Sequence, residues 1–519
     1  MLRTTKTENG PVQGLIGRDP RITVFRGIPF AAPPIGDLRW RAPRPAQNWD
    51  GIRKCYEYGD LPMTTVHPGT GEGVPRGIPN PALADFPMSE DCLYLNIWTP
   101  AETTDDKLPV LCFFYGGAMQ NGFSYDPTYD GEHLARRGVV VVTVGYRVGL
   151  FGFLAHPELT KELQGKEPVT NFGVQDQSAA LHWIARNIRN FGGDPDHIVI
   201  SGQSAGAESV QIQLCSSFND GLISGGICES SIQFDFDDGD CGITFVDSLE
   251  NSERYGMEFF RAAGINDLTQ ARTMDGSQLM RLVGEVGLAS PAQPLMFGVS
   301  VDGMFLKEPL HSSYYNDRIP DVPMMVGICH DELDQLFPHR PASLAALEAQ
   351  AQIYGKRKEE FLRLANAHTD ADAGAVLNGL GFNPFYSWTR AFCDLRAGSG
   401  KRVYFFLFDH DMPGDDSGSC HSSELPFVFD TLDNSWRPFE GRHYDLARQV
   451  CSYWANFVKQ GDPNGTDING VDLPLWKPYL CSEKNCMKFS DQPHPDVLPE
   501  TPILDFRLEF GKDRLRHIR

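Results

Sequence analysis

The sequence predicts an α/β chain: a central, mostly parallel, twisted sheet flanked by helices, with helical insertions forming a cap. Two observations carry this expectation. Short β-branched or aromatic runs alternate with stretches of helical periodicity through the first half. Those runs are apolar along their whole length, as strands buried on both faces are. No internal repeat and no low-complexity linker interrupts the pattern, so residues 1–519 are expected to form one domain.

The elements follow in order. Val110-Leu111-Cys112-Phe113-Phe114-Tyr115 is an apolar run that ends in Gly116-Gly117, as a buried strand entering a tight loop does. Val139 to Val144 is a second strand. Between Gln175 and Phe191, the residues Ala179, Ala180, Trp183, Ile184, Ile188 and Phe191 recur at helical spacing. Asp196 to Ile200 reads as a third strand, with a helix after it from Ala205 to Leu214. Further strands are expected at Val322 to Ile328 and Val403 to Phe408. Mostly helical insertions are expected near 245–320 and 340–395, where they would shape a pocket. An amphipathic helix from Ala447 to Lys459 stops at Gly461-Asp462-Pro463.

Composition narrows the partners. The 519 residues are 41% hydrophobic and 22% charged, an ordinary globular mixture. Lys and Arg total 46 against 68 Asp and Glu, a net charge of −22. That balance argues against nucleic acid and against anionic membrane surfaces, both of which are bound by excess positive charge. The first six residues are not the apolar stretch of a secretory signal, and the most apolar region, Gly138 to Ala155, is broken by Arg147 and four glycines. A cytoplasmic protein without membrane insertion is therefore expected, or a secreted one if a signal was removed before this numbering begins. Twelve cysteines are too few for a disulfide scaffold, and Cys112 in its apolar strand reads as a buried thiol. A glycosylation sequon stands at Asn464-Gly465-Thr466. Neither the 14 histidines nor Cys481 and Cys486 show metal-site spacing, so no metal and no cofactor are expected.

Two motifs carry chemistry. Gly202-Gln203-Ser204-Ala205-Gly206 has the form Gly-x-Ser-x-Gly. At this glycine content such a pattern arises by chance roughly a third of the time, so context must decide. Here it lies between a β-branched run and a helix, where a strand–turn–helix nucleophile elbow would stand. An ordinary strand-to-helix turn is the competing reading. Upstream, Tyr115-Gly116-Gly117-Ala118-Met119 follows a strand, and glycines there would let backbone N–H groups approach a substrate carbonyl. A structural turn would look the same.

Other segments then define a resemblance. Phe25-Arg26-Gly27-Ile28-Pro29-Phe30-Ala31, Glu90-Asp91-Cys92-Leu93-Tyr94-Leu95-Asn96, Tyr146-Arg147-Val148-Gly149, Phe151-Gly152-Phe153-Leu154 and Phe191-Gly192-Gly193-Asp194-Pro195 occur in the order found in one group of enzymes. Tyr453-Trp454-Ala455-Asn456-Phe457 and Gly461-Asp462-Pro463-Asn464 extend the match toward the C-terminus. The chain resembles the type-B carboxylesterase and cholinesterase family of the α/β-hydrolase fold over nearly its whole length. The resemblance implies a serine ester hydrolase acting on a small-molecule ester, with Ser204 as nucleophile. It places the triad acid at Glu332, ending Val326-Gly327-Ile328-Cys329-His330-Asp331-Glu332, and the base at His421 in Cys420-His421-Ser422-Ser423-Glu424-Leu425-Pro426-Phe427. The order Ser, Glu, His is the one expected of that fold. It places the oxyanion hole at the N–H groups of Gly117, Ala118 and Ala205. Met119, Gln203, Phe234 and Gln335 are the pocket candidates.

The departures from the family pattern are informative. Gln203 stands where a glutamate usually precedes the nucleophile, and Ala82 and Gln335 stand at two positions that are aromatic in choline esterases. Aromatic faces hold a quaternary ammonium by cation–π attraction, so choline recognition is not expected. The usual disulfide partner of Cys92 would fall near Pro62, which leaves a shifted bridge to Cys55 or a reduced thiol. Asp235, Asp237, Asp238 and Asp240 form either a solvated acidic loop or an entrance that favours neutral and cationic substrates. A glyceride lipase and a non-catalytic binding relative are the competing functions. The Pro/Gly-rich stretch from Met63 to Phe86 lacks the large apolar surface of a lipase lid, and the whole triad is present.

Overall fold

Eleven strands form the central sheet of the structure, a computed structural model that describes residues 1–64, 87–234, 246–289, 296–332 and 341–516. The readings at Ala82, at Asp235, Asp237, Asp238 and Asp240, and at Gln335 lie outside these residues. In chain order the strands are β1 (Leu15–Ile16), β2 (Thr23–Pro29), β3 (Tyr94–Thr99), β4 (Leu108–Phe114), β5 (Val140–Val144) and β6 (Gly193–Gln203). They continue with β7 (Gly225–Glu229), β8 (Met324–Cys329), β9 (Val403–Phe408), β10 (Asn485–Phe489) and β11 (Pro493–Val497). Their spatial order is β11-β10-β9-β8-β7-β6-β4-β5-β3-β2-β1. The strands from β10 across to β5 run parallel, and antiparallel strands close both edges.

Burial explains the central strands. Every residue of β5, β7, β8 and β9 is buried, because helices cover both faces. Helix α1 (Phe172–Asn187) puts Val174, Leu181, Trp183 and Ile184 into the core, and α2 (Ala205–Cys215) is buried along nearly its whole length. Strand β9 falls on the predicted residues, and β8 overlaps its predicted span, starting two residues later at Met324 and ending one later at Cys329. The C-terminal helix starts at Gly441, not Ala447, because Glu440 and His443 make a reciprocal capping box that fixes its first turn.

The insertion between β7 and β8 holds α3 (Leu249–Ala262), further helices at Leu268–Thr273, Gly276–Ala289 and Leu310–Tyr315, and a parallel ribbon of Val246–Ser248 with Val299–Val301. That between β8 and β9 holds helices Leu344–Ile353, Lys358–Ala365, Asp370–Leu377 and Pro384–Gly398. Leu347, Tyr354 and Phe361 of this second insertion pack with Phe506 of the terminal helix Pro502–Arg516 in an apolar cluster of their own. Cys55 and Cys92 are both buried free thiols, so the shifted bridge is not formed. Burial holds both well above the ordinary thiol range, which keeps them protonated and unreactive. Among the described residues, no helix is long and apolar enough to cross a membrane, and no group of three or more His, Cys, Asp or Glu is arranged for a metal ion.

Candidate active site

The carboxyl ends of the parallel strands meet at one edge of the sheet, where open α/β sheets bind their ligands. Strand β6 ends at Gln203, with Gly202 in register with Phe114 of β4 and with Cys228 of β7. Ser204 follows with φ 56° and ψ −127°, a conformation that costs a non-glycine residue about 1–3 kcal/mol. Its surroundings enforce it. The Ser204 N–H donates to the Glu229 carbonyl at 2.8 Å, and its carbonyl accepts from Ala207 and Glu208 at 2.9 and 3.1 Å. A Cβ on Gly202 would lie 2.2 Å from the Gly206 oxygen, and one on Gly206 would lie 2.0 Å from the Phe114 oxygen. The two glycines of Gly-x-Ser-x-Gly are therefore required by close packing of strand, elbow and helix. Ser204 itself is partly exposed among buried neighbours.

The loop after β4 approaches the elbow from the side. A Cβ on Gly116 would lie 2.6 Å from the Gln203 carbonyl oxygen and 3.0 Å from Ser204 Cβ. Gly117, Ala118 and Met119 all have positive φ, at 118°, 53° and 60°. The Gly117 carbonyl accepts from Gln120 N at 2.9 Å and Asn121 N at 3.1 Å, and the Met119 carbonyl accepts from Gly149 N at 2.6 Å. A trans peptide points its N–H opposite its carbonyl, so pinning the Gly117 carbonyl aims the Ala118 N–H the other way. The N–H groups of Gly117, Ala118 and Ala205 have no acceptor among the described residues. The last of these opens α2, whose positive dipole end favours negative charge.

Two further segments bring a carboxylate to a histidine. Asp331 forms a parallel bridge with Cys420, and its N–H donates to the Ser419 carbonyl at 3.1 Å. That bridge fastens the loop after β8 to the segment carrying His421. Glu332 Oε2 then lies 2.5 Å from His421 Nδ1, and Glu332 Oε1 accepts from Cys329 N at 2.8 Å. Glu332 is fully buried; the His421 side chain keeps 13% of its surface exposed. On the far side of the ring, Nε2 is 3.3 Å from the side-chain nitrogen of Gln203, the residue before Ser204. Burial alone would lower the imidazole pKa; the charge and hydrogen bond of Glu332, with the charge of Glu424, outweigh it and raise His421 above 6.5. Phe385 packs a tilted ring 5.6 Å from the imidazole centroid.

The other acidic and histidine alternatives face elsewhere. Asp331 Oδ2 accepts from Ser419 N at 2.9 Å, and Oδ1 pairs with His330 Nδ1 at 2.8 Å. His330 is exposed, and His410 is buried against His443 and Phe427. Of the pocket candidates, Gln203 and Met119 are buried beside the elbow and the loop. Phe234 is buried against Tyr314 and Tyr315.

Sequence reasoning missed a set of carboxyl groups beneath the elbow. Glu208, Glu229 and Glu424 are each fully buried. Glu424 accepts from the Cys329 thiol at 2.9 Å and from Ser230 at 3.4 Å; Glu229 accepts from Ser201 and Trp454, both at 3.2 Å. Burial, then the Glu332 charge, pushes Glu424 up to about 7 against the lowering effect of Cys329 and His421. Burial, then the charge of Glu424, holds Glu229 well above the usual carboxylate range. Glu208 is held there by burial alone, and neither of its carboxyl oxygens has a hydrogen-bond partner among the described residues. An acid at the end of the short apolar run Gly225–Glu229 was the one available sequence signal.

A large mixed sheet with helices on both faces and an elbow at the end of its central strand defines an enzyme of the α/β-hydrolase fold. The Carboxylesterase family profile matches residues 2–502, and the chain belongs to that family. A fumonisin B1 esterase from Sphingopyxis macrogoltabida is 31% identical over 477 residues, covering 88% of this chain and 82% of that protein. A mouse cholinesterase is 28% identical over 534 residues, covering 94% and 83%. A solved Geobacillus stearothermophilus carboxylesterase superposes with a TM-score of 0.75 at 27% identity, covering 98% of this chain and 100% of that one. The protein is a carboxylic-ester hydrolase.

Proposed function

We propose that the chain hydrolyses small to medium neutral esters through an acyl-enzyme, with Ser204 as nucleophile, His421 as base and Glu332 as its orienting acid. The observation that carries this is the 2.5 Å contact between Glu332 and His421 Nδ1, with the opposite ring nitrogen turned to the residue before Ser204. In attack, the Ser204 hydroxyl bonds to the ester carbon while His421 Nε2 takes its proton. The carbonyl oxygen gains a negative charge, which the free N–H groups of Gly117, Ala118 and Ala205 and the start of α2 would receive. Collapse expels the alcohol with the proton from His421 and leaves an acyl-serine. Water, deprotonated by the same imidazole, then releases the carboxylic acid and restores Ser204. A net charge of −22 disfavours anionic esters at long range. The free thiols of Cys55 and Cys92 support a reducing, cytoplasmic setting.

The test is twofold. Ser204→Ala should lower kcat by several orders of magnitude and leave the fold intact, and a fluorophosphonate probe should label the wild type once, on Ser204. Unchanged turnover, or labelling at another residue, overturns the assignment. A chain-length series of p-nitrophenyl esters, with and without an emulsion interface, separates this esterase from a glyceride lipase.

A further inference from the structure

We propose that Gln120 is the positioning residue of the oxyanion loop, holding it in its left-handed conformation by clasping the cap. The inference rests on the oxyanion reading given above. Ala118 and Met119 both hold positive φ without being glycine, so the loop does not keep this shape by local preference. Something outside it must. The Gln120 amide meets the peptide at Phe297 from both sides: Nε2 donates to the Phe297 carbonyl at 2.5 Å, and Oε1 accepts from Phe297 N at 3.3 Å. The same Nε2 reaches back to the Ala118 carbonyl at 3.2 Å.

One side chain thus ties the oxyanion loop to the residues leading into Val299–Val301, 177 positions along the chain. Every carbonyl from Gly117 to Gln120 is then occupied. Gly117 is held by two backbone N–H groups, Ala118 by the Gln120 amide, Met119 by Gly149, and Gln120 by the Thr64 hydroxyl at 3.2 Å. With the Gly117 carbonyl turned inward to these partners, the Ala118 N–H of the same peptide is left outward. Phe297 is a firm anchor: it is buried and meets the Phe259 ring of α3 edge-on at 5.6 Å. The clasp therefore makes the geometry of the hole depend on the seating of the first cap insertion. Gln120 acts by holding the peptide that follows Ala118, and with it the backbone on which the Ala118 N–H is carried, and need not touch substrate.

The test uses Gln120→Leu, which keeps the length and removes all three hydrogen bonds, and Gln120→Glu, which keeps the acceptor for Phe297 N and loses the donors. An aryl trifluoromethyl ketone serves as the probe, because its adduct with Ser204 carries the oxyanion that the hole receives. Gln120→Leu should lower kcat by about 10- to 100-fold with KM within about threefold. Its affinity for the ketone should fall by the same factor as kcat/KM, and Gln120→Glu should lie between it and the wild type. If Gln120→Leu does not fold, the same ratio for Gln120→Glu decides. A raised KM with unchanged kcat, or wild-type ketone affinity in the variant, overturns the proposal. A wild type that binds the ketone no better than the matching alcohol would overturn the oxyanion reading itself, and the role of Gln120 with it.

Discussion

Glu332 Oε2 lies 2.5 Å from His421 Nδ1, whereas Asp331, its neighbour in the chain, gives its two oxygens to His330 and Ser419. The two carboxylates thus face different partners. Glu332→Gln should lower kcat by roughly 10³- to 10⁴-fold with little change in KM, since a neutral amide neither stabilises the imidazolium nor fixes its tautomer. Asp331→Asn should cost less than about tenfold. Steady-state kinetics of both variants decide the matter, and the reverse ranking would name Asp331 as the acid.

The pH profile reports the base. His421 is raised above its ordinary value, and as the proposed base it would accept the serine proton only when neutral. Activity should therefore fall on acidification, with the midpoint of kcat/KM above 6.5. Glu424 contributes to that raising by its charge. Glu424→Gln should move the midpoint to lower pH. A midpoint that stays put, or moves upward, would show that Glu424 does not act on His421.

Stability should answer to Glu208. A carboxyl whose folded pKa is raised by burial contributes its full stability below the unfolded value near 4.3 and loses it as pH rises. Glu208→Gln removes that ionisable group, so the variant should be more stable than the wild type at neutral pH. A gain of at least ~2 °C in Tm is expected at pH 7.5, shrinking to nothing near pH 4. Thermal melts at the two pH values test this; an equal difference at both would mean the effect is packing alone.

Choline esters should gain nothing from their charge. Each aromatic or carboxylate contact to an ammonium gives roughly 2- to 30-fold. Gln203 provides no carboxylate beside Ser204, and Ala82 and Gln335 provide no aromatic face. Butyrylthiocholine should show no higher kcat/KM than a neutral thioester of similar length, at low salt and at about 0.5 M salt. The excess of acidic residues would act only through a field screened within ~8–10 Å. A tenfold preference that survives high salt would reveal a cation site elsewhere.

The legible parts of the fold were those in which sequence pattern and burial agree. Val403 to Phe408 is apolar on both faces and became β9 residue for residue. Strand β7 was not legible, because it opens with two glycines and closes on Glu229, an acid that burial rules place outside. Strand β2 was hidden by the register shift between Phe25 and Ile28. Around the site, Ser204, Glu332 and His421 could be named because each lies in a distinctive local segment. Gln120 could not, since its partner is the backbone of a distant residue, and a backbone contact leaves no mark in residue type. Glu208 and Glu424 were hidden for the opposite reason: nothing beside them in the chain says that they are buried.

The sequon at Asn464 has its amide already committed. Nδ2 donates to the Trp476 carbonyl at 2.8 Å and Oδ1 accepts from Trp476 N at 2.7 Å, so the side chain pairs with a peptide as a neighbouring strand would. A sugar on that nitrogen would take away one of its two hydrogens and prise the loop from the fully buried Trp476. Glycan attachment and closure of this loop are therefore rival events in time. In a secretory cell, molecules that fold quickly would escape modification and those that linger would acquire it, so the fraction glycosylated would record how fast this corner of the chain closes.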